Sequence, residues 1–152
     1  MSLQSVKAFF ADKAPHVQII ELPTSTATVA LAAQAHGVEP GQIAKTLTFA
    51  TADGTILIVT RGDARIDNRK FKNHFGIKPR MLDAETVISE TSHPVGGVCP
   101  FGLPSALPVY CDISLKSFEE VVPAAGAVNS AVRIAPEVMA ALVAAKWIDV
   151  CQ

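Results

Sequence analysis

The stretch His93-Pro94-Val95-Gly96-Gly97-Val98-Cys99-Pro100-Phe101-Gly102-Leu103-Pro104 constrains this chain most, with three glycines and three prolines in twelve residues. Proline fixes φ and has no N–H to donate, and glycine opens conformations closed to other residues. The stretch therefore continues no helix and sits inside no sheet. It is a stiff loop whose bare backbone can approach another group closely. The strand-like run 107–112 follows, so the loop is mounted on a scaffold. A rigid loop on a scaffold is a common place for binding chemistry, although a plain turn between two elements has the same composition.

Residues 2–13 carry Leu3, Val6, Phe9 and Phe10 at helical spacing, and 17–22 reads as a strand ended by Pro23. Thr24, Ser25 and Thr26 offer N-cap oxygens for an alanine-rich helix over 27–36, which Gly37 stops. A short turn over 40–44 delivers Lys45. The β-rich runs 46–50 and 55–60 flank Asp53-Gly54, a hairpin signal. Helices are predicted over 67–75, closed by Gly76, and over 83–90. After the loop come a strand over 107–113, a turn to Glu120 capped by Ser114, and a strand over 127–134. A helix over 138–146 has Pro136 ahead of it, and 147–151 is a last strand. Helices and strands alternate with at least one hairpin, so a pure parallel βαβ repeat is excluded. The expectation is one domain over residues 1–152, a mixed α/β (α+β) fold with helices packed around a mixed sheet.

An apolar fraction of 49% supplies a core for a chain of 152 residues. Net charge is −1, yet seven of the 13 Lys and Arg fall between Arg61 and Arg80: Arg61, Arg65, Arg69, Lys70, Lys72, Lys78 and Arg80. Such a face can hold a polyanion, and a solvated helix surface looks the same in sequence. Cys99, Cys111 and Cys151 are odd in number and lack CxxC spacing, and Lys7, Asp12 and Lys13 interrupt the early apolar residues. This reads as a cytoplasmic protein with reduced thiols and no membrane span.

Several chemistries have no support. No GxxxxGK[ST], GxSxG or GxGxxG motif is present, and His16, His36 and His74 are too scattered for a metal site. Cys99 and His93 are close in sequence, but a catalytic thiol wants an activating base and an oxyanion site, and Cys99 precedes Pro100 in a loop. Lys45, at the entrance to an apolar strand, either reaches a phosphate or carboxylate or snorkels to the surface. Asp112 either caps the following turn or faces a pocket. Gly126 and Asn129 lie in a second flexible stretch that could form another pocket wall.

Three runs then occur together: Gln42-Ile43-Ala44-Lys45-Thr46-Leu47, Gly96-Gly97-Val98-Cys99-Pro100-Phe101-Gly102, and Leu107-Pro108-Val109-Tyr110-Cys111-Asp112. In this order they resemble the YbaK/prolyl-tRNA editing family, free-standing relatives of the editing domain inserted in bacterial prolyl-tRNA synthetases. The likeness covers about 27–150. It implies a mixed α/β domain with a partly barrel-like sheet, and hydrolysis of the ester that joins a wrong amino acid to tRNA. It implies that the family lysine is Lys45, its GxxxP loop is Gly96, Gly97, Val98, Cys99 and Pro100, its aspartate is Asp112 and its pocket-wall glycine is Gly126. Thr26 and Asn129 are expected to join Asp112 and Gly126 in binding substrate. Arg61, Arg65, Arg69, Lys70 and Lys72 are expected to grip the acceptor stem by phosphate contacts.

An aminoacyl ester is already activated, so the enzyme must chiefly position water and stabilise an oxyanion. Gly96, Gly97, Val98 and Cys99 carry the loop's available N–H donors. The resemblance implies that the free ribose hydroxyl of the terminal adenosine helps activate water. It implies no metal or organic cofactor, and aminoacyl-tRNA as partner, with or without a synthetase; membrane and DNA are not expected. Some family members carry a histidine where this chain reads Val128-Asn129-Ser130-Ala131. The amino acid removed therefore stays open among alanine, serine, threonine and cysteine. A non-catalytic module that binds tRNA ends or a synthetase is the rival reading, and a Cys99-dependent hydrolase a third.

Overall fold

The computed structural model describes residues 2–152. The first helix, α1 (Ser2–Lys13), is followed by β1 (Ile20–Glu21), α2 (Val29–His36), β2 (Ile43–Thr51) and β3 (Gly54–Arg61). Then come α3 (Asn68–Phe75), α4 (Ala84–Thr91), β4 (Val109–Asp112), β5 (Val122–Pro123), β6 (Ser130–Ala131), α5 (Pro136–Leu142) and β7 (Lys146–Ile148). Five strands form one sheet in the order β5-β2-β3-β4-β7. Within this sheet only the β2–β3 pair is antiparallel; β5, β4 and β7 join in parallel, and β1 pairs antiparallel with β6 apart from it. The sheet curls into a half-barrel with the helices about it, the mixed α/β architecture expected from sequence.

Strand alternation divides the core between the two faces of this sheet. Leu57 and Val59 of β3 pack with Val6 and Phe10 of α1, Phe101 of the loop and Met139 of α5. Ile56 and Ile58 point the other way, to Phe49 of β2 and Phe71 of α3. Phe71 is fully buried on an otherwise basic helix, and burying a phenylalanine contributes about 1.5–3 kcal/mol. A third cluster joins Ala32 and Ala33 of α2 to Ile43, Val122 and Ala131. The alanines let α2 sit close against the β5 edge of the sheet.

The caps explain most shifts in element boundaries. Thr28, not Thr26, caps α2 by accepting from Leu31 N, so the helix starts at Val29. Asp67 accepts from Arg69 N and Lys70 N at the start of α3, and Gly76 ends it at φ 80°. Asp112, not Ser114, caps the 3₁₀ turn after β4. The expected strand over 127–134 is only β6, extended by isolated bridges from Ala131 to Ala124 and from Ile134 to Val121. The last helix begins at Pro136 and ends at Leu142, and β7 takes up Lys146.

Candidate active site

A cavity of about 410 Å³ opens between α2, β2, the segment around Met81–Leu82, α4 and the glycine loop. It is mostly apolar, with Val29, Ala32, Ile43, Leu47, Val87, Val122 and Ala131 on its walls. Thr26, Lys45, Thr46, Gly96 and Val98 supply polar or bare-backbone lining. Ligand pockets of about 300–1,000 Å³ with a few placed polar groups are the usual form of a small-molecule site.

The glycine loop reaches the cavity by a turn. Gly97 N donates to Pro94 O at 2.8 Å, and Gly96 has φ +92°, the region that a type II turn requires at its third residue. Gly97 N–H is thus spent within the loop. Among the described residues, the N–H groups of Gly96 and Val98 have no protein acceptor, and both residues line the cavity. Gly96 presses on the start of α2: an added β-carbon would lie 2.8 Å from Ala27 Cβ. The loop and the α2 N-terminus therefore form one wall.

Thr26 is buried on that wall, its Oγ1 donating to Val128 O at 3.1 Å and its backbone N to the same carbonyl at 2.6 Å. Lys45 is the third residue of β2, which starts at Ile43, inside the turn expected over 40–44. Its Nζ donates to Ala64 O at 2.6 Å. Burial holds this ammonium below lysine's ordinary range; Arg65 adds to the drop, while Cys151 and Asp63 oppose it.

The other expected residues lie behind this wall. Gly97, Cys99 and Pro100 are buried but do not line the cavity. Gly126, at φ +91°, donates its N–H to Gly97 O at 3.0 Å, and Asn129 Nδ2 donates to Leu22 O at 2.8 Å. Both brace the loop's surroundings and are absent from the lining. Asp112 is also absent from it; its carboxylate accepts from Ser114 N at 2.9 Å and Val150 N at 2.8 Å, tying β4 to the strand end beside it.

Cys99 Sγ lies 3.5 Å from His93 Nε2, a contact that sequence proximity alone did not establish. Both are fully buried. Burial pushes the thiol up to about 12 and holds the imidazole below its ordinary value. A thiolate is the reactive species, and burial disfavours it at Cys99.

Of the basic residues, Arg61 is held by Asp63 at 2.6 Å and Lys70 by Asp149 at 3.0 Å. Arg65, Arg69 and Lys72 are exposed and form no ion pair among the described residues. Two cavity-lining residues escaped the sequence reading. Thr46 Oγ1 and His36 Nε2 are buried without a protein partner. Strand alternation could have marked Thr46, which shares its face with Thr48; nothing local marks His36. Among the described residues no group of three or more His, Cys, Asp or Glu side chains could hold a metal ion, and no helix is long and apolar enough to cross a membrane.

The family model for the aminoacyl-tRNA editing domain matches residues 24–142, a span that contains every wall of this cavity. The chain belongs to that family. Editing-domain relatives occur both alone and inside larger enzymes. Protein YwhH of Bacillus subtilis (strain 168), itself uncharacterized, is 46% identical over 154 residues, covering 100% of this chain and 98% of that one. The proline–tRNA ligase of Citrifermentans bemidjiense is 30% identical over 95 residues, 62% of this chain and 17% of the ligase. The chain thus spans only a small part of that ligase.

Solved structures of editing-domain size superpose on nearly the whole chain. A candidate trans-editing enzyme for prolyl tRNA synthetase gives a TM-score of 0.91 at 34% identity, covering 99% of this chain and 97% of that one. The hypothetical protein APE2540 gives 0.89 at 28% identity, with 97% and 99% covered.

Proposed function

We propose that this protein, acting as one editing unit over residues 1–152, is a trans-editing deacylase. It hydrolyses the ester between a small misattached amino acid and the 3′ end of a tRNA, in the cytoplasm and with no metal or organic cofactor. The observation that carries this reading is that Thr26, Lys45, Gly96 and Val98 line one cavity, the last two with amides that have no protein acceptor among the described residues. A volume of about 410 Å³ exceeds a small amino acid and has room for part of the terminal nucleoside.

In this reading the ester carbonyl sits against the loop, and the N–H groups of Gly96 and Val98 stabilise the oxyanion as water adds. A single such donor is worth about 10²–10³ in rate. The leaving group is the ribose oxygen, which takes a proton from the attacking water; the free neighbouring ribose hydroxyl relays it. This accounts for a wall with no carboxylate or freely titrating histidine at the loop. Lys45 exchanges its bond to Ala64 O for a phosphate or ribose oxygen of the tRNA end. Arg65, Arg69 and Lys72 hold the acceptor stem by phosphate contacts.

The test is release of amino acid from tRNA charged with alanine, serine, threonine, cysteine or proline. Turnover of at least one supports the reading. Tight tRNA binding with no release from any of them selects a non-catalytic module that binds tRNA ends or a synthetase.

A further inference from the structure

Behind the cavity wall, both flanks of the glycine loop are tied to one hydroxyl. Ser2, the first residue of α1, places Oγ 2.6 Å from His93 Nδ1 and donates to Gly126 O. His93 Nε2 lies 2.8 Å from Phe101 O, and Gly126 N donates to Gly97 O at 3.0 Å. One branch thus runs from Ser2 through His93 to Phe101, the residue just past the GxxxP segment. The other runs from Ser2 through Gly126 to Gly97, the middle of the arc. Between these ties stand Gly96 and Val98, two cavity-lining residues whose amides have no protein acceptor among the described residues.

The proton assignment follows from the acceptors. Phe101 O is acceptor only, so a neutral His93 carries its proton on Nε2 and donates there; Nδ1 is then an acceptor. Ser2 has one hydroxyl proton for two acceptors, so it alternates between Gly126 O and His93 Nδ1. Removing this one hydroxyl loosens both branches, although Ser2 lines no part of the cavity.

We infer that Ser2 and His93 are positioning residues, which set the orientation of the Gly96 and Val98 amides from outside the site. The inference rests on the deacylase reading above, because only that reading gives the two amides a reaction to serve. Neither side chain touches substrate. Preorganised donors lose much of their effect when displaced by a fraction of an ångström, and roughly 10²-fold in rate can follow from about 1 Å.

The experiment compares Ser2→Ala with Ser2→Thr, which keeps a hydroxyl, in steady-state deacylation and in amide NMR spectra. The expected result for Ser2→Ala is a fall in kcat of roughly tenfold or more with KM changed less than about twofold. It includes displaced amide resonances of Gly96, Gly97 and Val98, and Ser2→Thr restores both. His93→Gln, whose amide can donate to Phe101 O, retains more activity than His93→Leu. An unchanged kcat per folded molecule in Ser2→Ala, or a loss that Ser2→Thr does not rescue, overturns the inference. If the wild-type protein releases no amino acid from any charged tRNA, the deacylase reading fails by itself. The coupling is then judged by the resonances alone: displacement in Ser2→Ala and return in Ser2→Thr supports it, and unmoved loop resonances overturn it.

Discussion

Gly96 lies so close to Ala27 that a β-carbon on it would stand 2.8 Å from the alanine methyl and 3.1 Å from its Cα. Its φ of +92° is also one that L side chains rarely adopt. Space and backbone conformation therefore both require glycine where the loop meets α2.

Substituting Gly96→Val should abolish most activity, by about 10²-fold or more, since it displaces an oxyanion donor. The strained backbone should also cost about 1–3 kcal/mol of stability. Single-turnover rates and urea midpoints separate the two effects. A variant that keeps the full rate contradicts the placement of the ester at this loop.

Cys99 should be dispensable for chemistry. Its thiol is buried and pushed up to about 12, so Cys99→Ala should keep the wild-type rate within a few-fold. Cys99→Ser keeps a group beside His93 Nε2 and Phe101 O and should likewise keep the rate within a few-fold. Folded protein should resist alkylation at this position until it is unfolded. A dead Cys99→Ala variant with native stability would revive the thiol nucleophile.

Acid should destabilise the fold through His93. Burial holds its folded pKa below the ordinary 6.5. Between the folded pKa and 6.5 the unfolded chain binds the extra proton, so stability rises with pH in that window. The contribution is complete above about 6.5 and is lost as pH falls toward the folded pKa. Urea midpoints measured across this range should decline less steeply for His93→Gln than for wild type. Parallel declines would place the acid sensitivity elsewhere.

The unpaired cations should matter more for tRNA than the paired ones. Replacing Arg65, Arg69 or Lys72 by Ala should weaken tRNA binding and lower the salt slope by about 0.9 for each phosphate left without its cation. Arg61 and Lys70, engaged by Asp63 and Asp149, should contribute less. Filter-binding titrations at several salt concentrations decide this; slopes equal to the wild-type value for all five variants would remove α3 and its approach from the interface.

The parts of the fold governed by local chemistry were legible in the sequence. Asp53-Gly54 marked the β2–β3 hairpin, Gly37 and Gly76 marked helix ends, and the glycine–proline loop marked one cavity wall. Asp112 was ambiguous because a cap and a pocket residue look alike before the neighbours are known; its oxygens go to Ser114 N and Val150 N, the second 38 residues away. The clip between Ser2 and His93 spans 91 positions, and no local pattern encodes such a pairing. His36 was unreadable for the same reason: only packing of α2 against the sheet buries its Nε2 beside the cavity. The hydrogen bond from Gly97 N to Pro94 O, which removes Gly97 from the available donors, likewise needed the turn itself.

Lys45 tests the account most directly. It lines the cavity and its ammonium is held by one carbonyl, Ala64 O, so Lys45→Ala removes that ammonium with little effect on the core. The measurement is a deacylation time course with tRNA charged in turn with alanine, serine, threonine, cysteine or proline, run for wild type and Lys45→Ala at equal folded concentration. The account predicts rapid release of at least one small amino acid by wild type and a rate about 10²-fold or more lower in the variant. Equal rates for the two proteins, or no release by wild type from any of the five, would contradict it.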